Sequence, residues 1–165
     1  LPFYPKESVV VDIGASVGDF VLSASLAGDT KTHAFENDSE IFRWLLLNIA
    51  ANQLRKVSTY NLPANGSTLA SICENEGRID FLKIDCEGCE YDLILSCPSY
   101  ALAKIHRLAM ETHCISGHSP SEIIAFLQKG GFGVELANLG GGSYIFASKE
   151  HESSQALHPD HHKRR

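Results

Sequence analysis

Hydrophobic positions fall along this chain in two alternating rhythms. Residues 8–13 (S-V-V-V-D-I) form an apolar, β-branched run, the pattern of a strand buried on both faces. Val17, Phe20, Val21 and Ala24 then recur at helical spacing, which predicts a helix over 18–27 that stops at Gly28. A short strand follows at 32–36. Asn37, with Glu40 three residues on, resembles a capping box and opens a helix through Ile41, Trp44, Leu45 and Ile49 to about Asn52. The same alternation continues with a strand at 56–61, a short helix at 67–74 closed by Gly77, and a strand at 78–85. A helix at 90–96 is ended by Cys97-Pro98, and a strand follows at 105–113. Ser119-Pro120-Ser121-Glu122 is the clearest helix start in the chain. It offers a serine cap, proline at the first helical position and an acid to close the box. That helix runs to Gly130. Strands at 132–137 and 143–148 are joined by the glycine-rich residues 138–142.

Strands alternating with helices, then a closing hairpin, predict an α/β fold. Its sheet is mostly parallel, helices cover both faces, and one antiparallel strand comes at the end. Phe20, Phe35, Trp44 and Phe81 sit at core spacings. One domain is expected over residues 1–150. Residues 151–165 lack apolar periodicity and read as a disordered tail, whose His151, His158, His161 and His162 are expected to be solvated rather than a metal site.

Composition narrows the class. At 165 residues, 44% of them hydrophobic and 21% charged, the chain suits one soluble domain with a sizeable core. The net charge of −6 gives no basic footprint for nucleic acid or an anionic membrane. Apolar runs are too short to span a bilayer, and the first residues lack a signal-peptide pattern. The first residue is Leu1 rather than Met, which leaves room for a segment upstream. Five cysteines is an odd number in a chain with a good core. Free thiols in a reducing compartment are therefore expected, and with them a cytoplasmic location. Oligomeric state is not readable.

In a doubly wound sheet, ligands bind beyond the carboxyl ends of the strands. Those ends carry Asp12-Ile13-Gly14, Glu36-Asn37, Asn61-Leu62, Asp85-Cys86-Glu87-Gly88 and Glu111-Thr112-His113. Acids at four of five ends point to a polar ligand. Glu36 lies about twenty residues beyond the glycine turn, where a carboxylate accepts hydrogen bonds from both ribose hydroxyls. The turn itself reads Gly14-Ala15-Ser16-Val17-Gly18. A dinucleotide fingerprint needs glycine where Ser16 stands, so a pyrophosphate loses support and a ribose without phosphate gains it.

Three motifs in order resemble the FkbM-type methyltransferases, class I enzymes dependent on S-adenosylmethionine. They are D-I-G-A-x-x-G at 12–18, F-E-N at 35–37 with the helix I-F-R-W-L-L-L-N-I-A-A-N, and D-F-L-K-I-D-C-E-G-C-E at 80–90. The resemblance covers roughly residues 8–148. It implies a Rossmann-like, seven-stranded sheet with a reversed last strand. It implies that Asp12, Gly14 and Gly18 shape the cofactor turn and that Glu36 holds the ribose, with Ala15, Ser16 and Asn37 as further cofactor-binding candidates. Asn61 and Leu62 would lie near the adenine, and Asp85 near the methionine end. Asn37 stands where the family often has Pro. S-adenosyl-L-methionine is the implied cofactor and S-adenosyl-L-homocysteine the product.

Methyl transfer is an in-line displacement in which positioning supplies roughly 7–11 kcal/mol of the barrier. A general base adds about 10²–10⁴-fold and matters most for a hydroxyl acceptor. Glu87, Glu111 and His113 are the candidate bases, and Glu111 and His113 share a strand face. Family members are mostly linked to O-methylation, so a small-molecule or glycan hydroxyl is the expected acceptor. A cofactor-binding module without catalysis is the main alternative, and an NAD-dependent oxidoreductase a weaker one. Cys86-Glu87-Gly88-Cys89 with His113, Cys114 and His118 raises zinc, but no second C-x-x-C stands at finger spacing and no metal is expected.

Overall fold

The computed structural model describes residues 7–113, 115–140 and 142–149. The strands are β1 (Ser8–Ile13), β2 (Thr30–Phe35), β3 (Val57–Tyr60), β4 (Phe81–Ile84), β5 (Arg107–Thr112), β6 (Gly133–Leu139) and β7 (Gly142–Ser148). Between them lie α1 (Asp19–Ala27), α2 (Ser39–Ala51), α3 (Gly66–Glu76), α4 (Glu90–Leu95), α5 (Ser99–Leu102) and α6 (Pro120–Lys129). The strands form one seven-stranded sheet in the order β3-β2-β1-β4-β5-β7-β6. Strand β7 runs antiparallel to both neighbours, and the other pairings are parallel. This is the Rossmann-like α/β sheet with a reversed last strand.

Burial explains the order. Every residue of β1 is buried, because it pairs with β2 on one side and β4 on the other and is covered on both faces. Successive side chains of a strand point to opposite faces. Val9, Val11 and Ile13 join the core built with Leu69, Ile72, Leu93, Ile123 and Leu127 of α3, α4 and α6. Val10 faces the other way, against Ala24 and Phe20 of α1. Burying each such aliphatic side chain contributes roughly 1.5–3 kcal/mol. Strand β5 alternates buried and half-buried positions.

Several expectations change in detail. Asp38 rather than Asn37 caps α2: its carboxylate accepts the backbone N–H groups of Glu40 and Ile41. Trp44, expected in the core, is 56% exposed, because Leu45, next along the helix, takes the inward position. Asn65 and Thr68 form the capping box of α3. Pro98 ends one helix and begins the single turn α5, which the apolar pattern does not show. Ser119 caps α6 as expected, while the Glu122 carboxylate meets His118 Nδ1 at 3.0 Å. Cysteine pairing is a correction. Cys86 and Cys89 are joined in a disulfide, and Cys73 and Cys97 are free and buried. Two cysteines three residues apart on a tight turn reach one another, so the expectation of free thiols fails for this pair. Cys114 and the tail 151–165 lie outside the described residues.

Strands β1 and β4 are joined by a buried charge pair. Asp12 is opposite Lys83 in the register, fully buried, with the ammonium 3.1 Å from its Oδ1. Neither Asp12 oxygen makes a hydrogen bond of ordinary geometry. Burial, only partly offset by Lys83, raises the Asp12 pKa to about 6. One residue past the end of β1, Gly14 has φ +77°, and a Cβ there would collide with the Asp85 carbonyl.

Two outcomes follow. Gly14→Ala costs at least about 2 kcal/mol through strain and collision, lowering the melting temperature by roughly 4–8 °C or more; a variant that melts with the wild type would contradict this close approach. Asp12 binds its proton more tightly folded than unfolded. Its contribution to stability is therefore full below its unfolded pKa of 3.8 and is lost as pH rises through about 6. Melting curves should show the wild type losing stability relative to Asp12→Asn across that window, and a pH-independent difference would count against the buried carboxylate.

Candidate functional site

The strand order reverses between β1 and β4, the point at which ligands bind in open α/β sheets. A cavity of about 390 Å³ opens there, beyond the carboxyl ends of β1 to β4. Gly14 and Ser16 supply its floor from the β1 turn, and Glu36, Asn37 and Asp38 its wall after β2. Leu62, Pro63 and Ala64 line it after β3, and Asp85, Cys86, Glu87 and Cys89 after β4. Charged groups therefore face an apolar wall across one space.

Glu36 is nearly buried, at 8% exposure. Its Oε2 accepts the Ser16 backbone N–H at 2.9 Å, and its Oε1 accepts that of Asp38 at 2.9 Å. A carboxylate has about four acceptor sites, so both oxygens keep capacity for ligand hydroxyls. Ser16 has φ +50° and Glu87 φ +54°, left-handed conformations that non-glycine residues rarely adopt. Both line the cavity, and backbone strain of this kind clusters at binding sites. Ser16 thus holds the shape a glycine would take, while its N–H is fixed on Glu36.

Six of the residues expected at the cofactor line the cavity: Gly14, Ser16, Glu36, Asn37, Leu62 and Asp85. Four others stand behind it. Asp12 is buried against Lys83. Ala15, 1% exposed, donates its N–H to the Phe35 carbonyl. Gly18 caps α1 and lies close against Leu45. Asn61 donates its amide to the Glu36 carbonyl at 2.8 Å and accepts the Ser39 hydroxyl at 2.9 Å, so it fixes the acid rather than a ligand.

The three candidate bases meet at one end of this cavity. His113 Nε2 is 3.3 Å from a Glu87 oxygen, and Asp85, Glu111 and His113 each place a ligand atom within 4.8 Å of the others. The Tyr144 hydroxyl donates to Glu111 Oε1 at 3.1 Å. Beyond His113 lies a second cavity of about 270 Å³, lined by Tyr91, Thr112, Ser116, His118 and Ser143 among others. Burial alone would lower the His113 pKa. The hydrogen bond that Nδ1 donates to Glu90 and the charges of Glu90, Glu87 and Glu111 outweigh it and hold the imidazole above its ordinary value.

Sequence reasoning passed over two residues here. Glu90 is fully buried, and its Oε1 accepts both the backbone N–H of His113 and a hydrogen bond from Nδ1. Lys83 bridges Asp12 and the Gly14 carbonyl, 3.2 Å away, and lies 3.8 Å from Asp85. Both stand in the same short block, K-I-D-C-E-G-C-E. Glu90 reads there as an ordinary first-turn acid of a helix, and Lys83 as one polar residue on an alternating strand.

Comparison with known proteins agrees with this geometry. Residues 62–134 match the methyltransferase FkbM domain, a span that begins after β3 and includes the acid-rich block. No curated protein matches the chain. Among solved structures, the fold resembles a precorrin-6y C5,15-methyltransferase from Geobacter metallireducens, with TM-score 0.64 and 15% identity over 89% of this chain and 82% of that one. It also resembles a putative tRNA (m1A22) methyltransferase from Streptococcus pneumoniae in complex with S-adenosyl-L-methionine, with TM-score 0.61 and 19% identity over 91% and 70%. A precorrin 8w decarboxylase from Methanobacterium thermoautotrophicum gives TM-score 0.67 and 18% identity over 88% and 83%. The match of residues 62–134 to the FkbM methyltransferase domain, in a Rossmann-like sheet whose ligand crevice opens at the reversal of strand order, supports an S-adenosylmethionine-dependent methyltransferase.

Proposed function

We propose that the chain transfers a methyl group to a hydroxyl of a small molecule or glycan, with the cofactor in the 390 Å³ cavity and the acceptor at the Glu87–Glu111–His113 end. The observation that carries this is that Glu36, after β2, and Asp85, after β4, both line one cavity. Glu36 offers two oxygens to ribose hydroxyls. Leu62 and Ala64 offer apolar surface to an adenine. Asp85 faces the methionine end. When bound, the cofactor supplies an electrophilic methyl on a sulfonium, and the acids around it favour that positive charge.

The chain's own task is then orientation and proton uptake. The acceptor oxygen gains the methyl, and its proton passes to the Glu87–His113–Glu111 group. Glu90 keeps His113 in one tautomer and one orientation by holding Nδ1. The second cavity, lined in part by His113, has hydroxyl-bearing walls suited to a polar acceptor. The acidic chain, at net charge −6, favours such an acceptor over a nucleic acid. Solved relatives of this fold include proteins described as tRNA and rRNA methylases, so RNA belongs in the same acceptor screen.

Calorimetry with S-adenosyl-L-homocysteine tests the cofactor half. Glu36→Gln keeps the size of the side chain and removes its charge, so affinity should fall by roughly 1.5–3 kcal/mol; unchanged affinity would remove Glu36 from the site. A screen of hydroxyl-bearing metabolites, glycans and RNA tests the acceptor half. Against the acceptor found, Glu87→Gln should lower kcat by about 10²–10⁴-fold with cofactor affinity unchanged. Turnover on RNA alone would overturn the proposed substrate class.

A further inference from the structure

We propose that Asp85, Glu111 and His113 form the binding site of one divalent cation at the acceptor end of the cavity. The proposal rests on the methyltransferase reading and deepens it by naming what grips the acceptor.

Each of the three residues offers a donor atom, and these atoms lie within 4.8 Å of one another. They come from adjacent parallel strands: Asp85 follows β4, while Glu111 is next to last in β5 and His113 follows that strand. Their backbones are therefore fixed by sheet hydrogen bonds, and small side-chain rotations close the set around an ion at ordinary metal–oxygen distances of about 2.0–2.2 Å.

The imidazole is prepared for this task. Glu90 is fully buried and accepts both the His113 backbone N–H and a hydrogen bond from Nδ1. That leaves Nε2 as the donor atom for a cation, which would replace its 3.3 Å contact with a Glu87 oxygen. A carboxylate holding the far nitrogen of a histidine is the arrangement that orients metal ligands and raises their basicity. Tyr144 holds Glu111 in the same way, donating its hydroxyl to one carboxylate oxygen and leaving the other.

Charge points in the same direction. Asp85, Glu87, Glu90 and Glu111 converge on one imidazole. The ammonium of Lys83 reaches Asp85 at 3.8 Å but is shared with Asp12 at 3.1 Å. A dication offsets this negative excess at its centre. Two carboxylates and an imidazole suit Mn²⁺, Fe²⁺, Mg²⁺ or Zn²⁺, and not the soft ions that thiolates select. Cys86 and Cys89 are tied to each other and supply no thiolate.

Three protein ligands leave coordination positions open. An acceptor hydroxyl on the cation becomes a stronger acid, and a neighbouring oxygen on the same molecule would complete a chelate. The acceptor class is thus a hydroxyl adjacent to a second oxygen donor. Glu87 lies outside the ligand set with 84% of its side chain exposed, and it is left to take the proton.

The test is a titration of the full chain with Mn²⁺, read by loss of the free-ion electron paramagnetic resonance signal. Paramagnetic broadening of the His113 imidazole resonances is followed in the same samples. The expected result is one saturable site that broadens His113. Glu111→Gln and His113→Gln should each weaken it roughly tenfold or more. Both variants are checked by melting and by S-adenosyl-L-homocysteine affinity. A variant that fails to fold is replaced by Asp85→Asn. Absence of saturable binding at millimolar Mn²⁺ overturns the proposal. So does binding of equal strength in the folded variants, which would assign the ion to the tail histidines or another surface. If S-adenosyl-L-homocysteine binds while Mn²⁺ does not, the cation site fails and the methyltransferase reading stands. If Mn²⁺ binds without S-adenosyl-L-homocysteine, the cofactor reading fails.

Discussion

Everything at the ligand end of this sheet depends on how closely β4 is drawn to the turn after β1. Lys83 reaches across from β4 to Asp12 and to the Gly14 carbonyl. Gly14 has no side chain because the Asp85 carbonyl occupies the place a Cβ would need. An unpaired buried carboxylate costs several kcal/mol, so Asp12 and Lys83 require each other. The seam brings the glycine turn, Asp85 and the loop after it into one crevice. A cavity between β1 and β4 exists only because this seam fixes its two rims.

From that seam the site divides into two halves. On the β2 side, Glu36 is locked by the N–H groups of Ser16 and Asp38 and by Asn61 on its own carbonyl. A side chain so fixed loses little freedom when a ligand binds, which makes its hydrogen bonds worth more. On the β5 side, Glu90 anchors His113, and Glu87 reaches it from a strained turn closed by the Cys86–Cys89 disulfide. The first half is the one proposed to take the ribose. The second gathers acids around an imidazole, where proton uptake and cation binding are chemically at home.

Much of this was legible in the sequence because the signals were local. The apolar run at Ser8–Ile13 marks a strand covered on both faces, and that is where the structure places it. The carboxyl-end rule singles out Glu36, Asp85, Glu87, Glu111 and His113; the first three line one cavity, and Glu111 and His113 stand beside Asp85. What the sequence hides are relations between distant positions. Trp44 has the periodicity of a core residue, yet α2 rests on Leu45 and leaves Trp44 outside. Asn37 and Asp38 are both good caps, and only the chain's exit from β2 decides for Asp38. Asp12 reads as a ligand contact until Lys83, 71 residues away, is seen beside it. Glu90 reads as a helix start until His113 is found against it.

The central claim is that one crevice, built on the seam between β1 and β4, holds the cofactor with its ribose on Glu36 and its sulfur toward Asp85. A crystal structure of the chain with S-adenosyl-L-homocysteine tests it most directly. The account predicts both ribose hydroxyls within hydrogen-bond distance of the Glu36 carboxylate, adenine against Leu62 and Ala64, and the sulfur facing the Asp85, Glu87 and His113 end. A ligand bound elsewhere, or one whose ribose leaves Glu36 untouched, would contradict it.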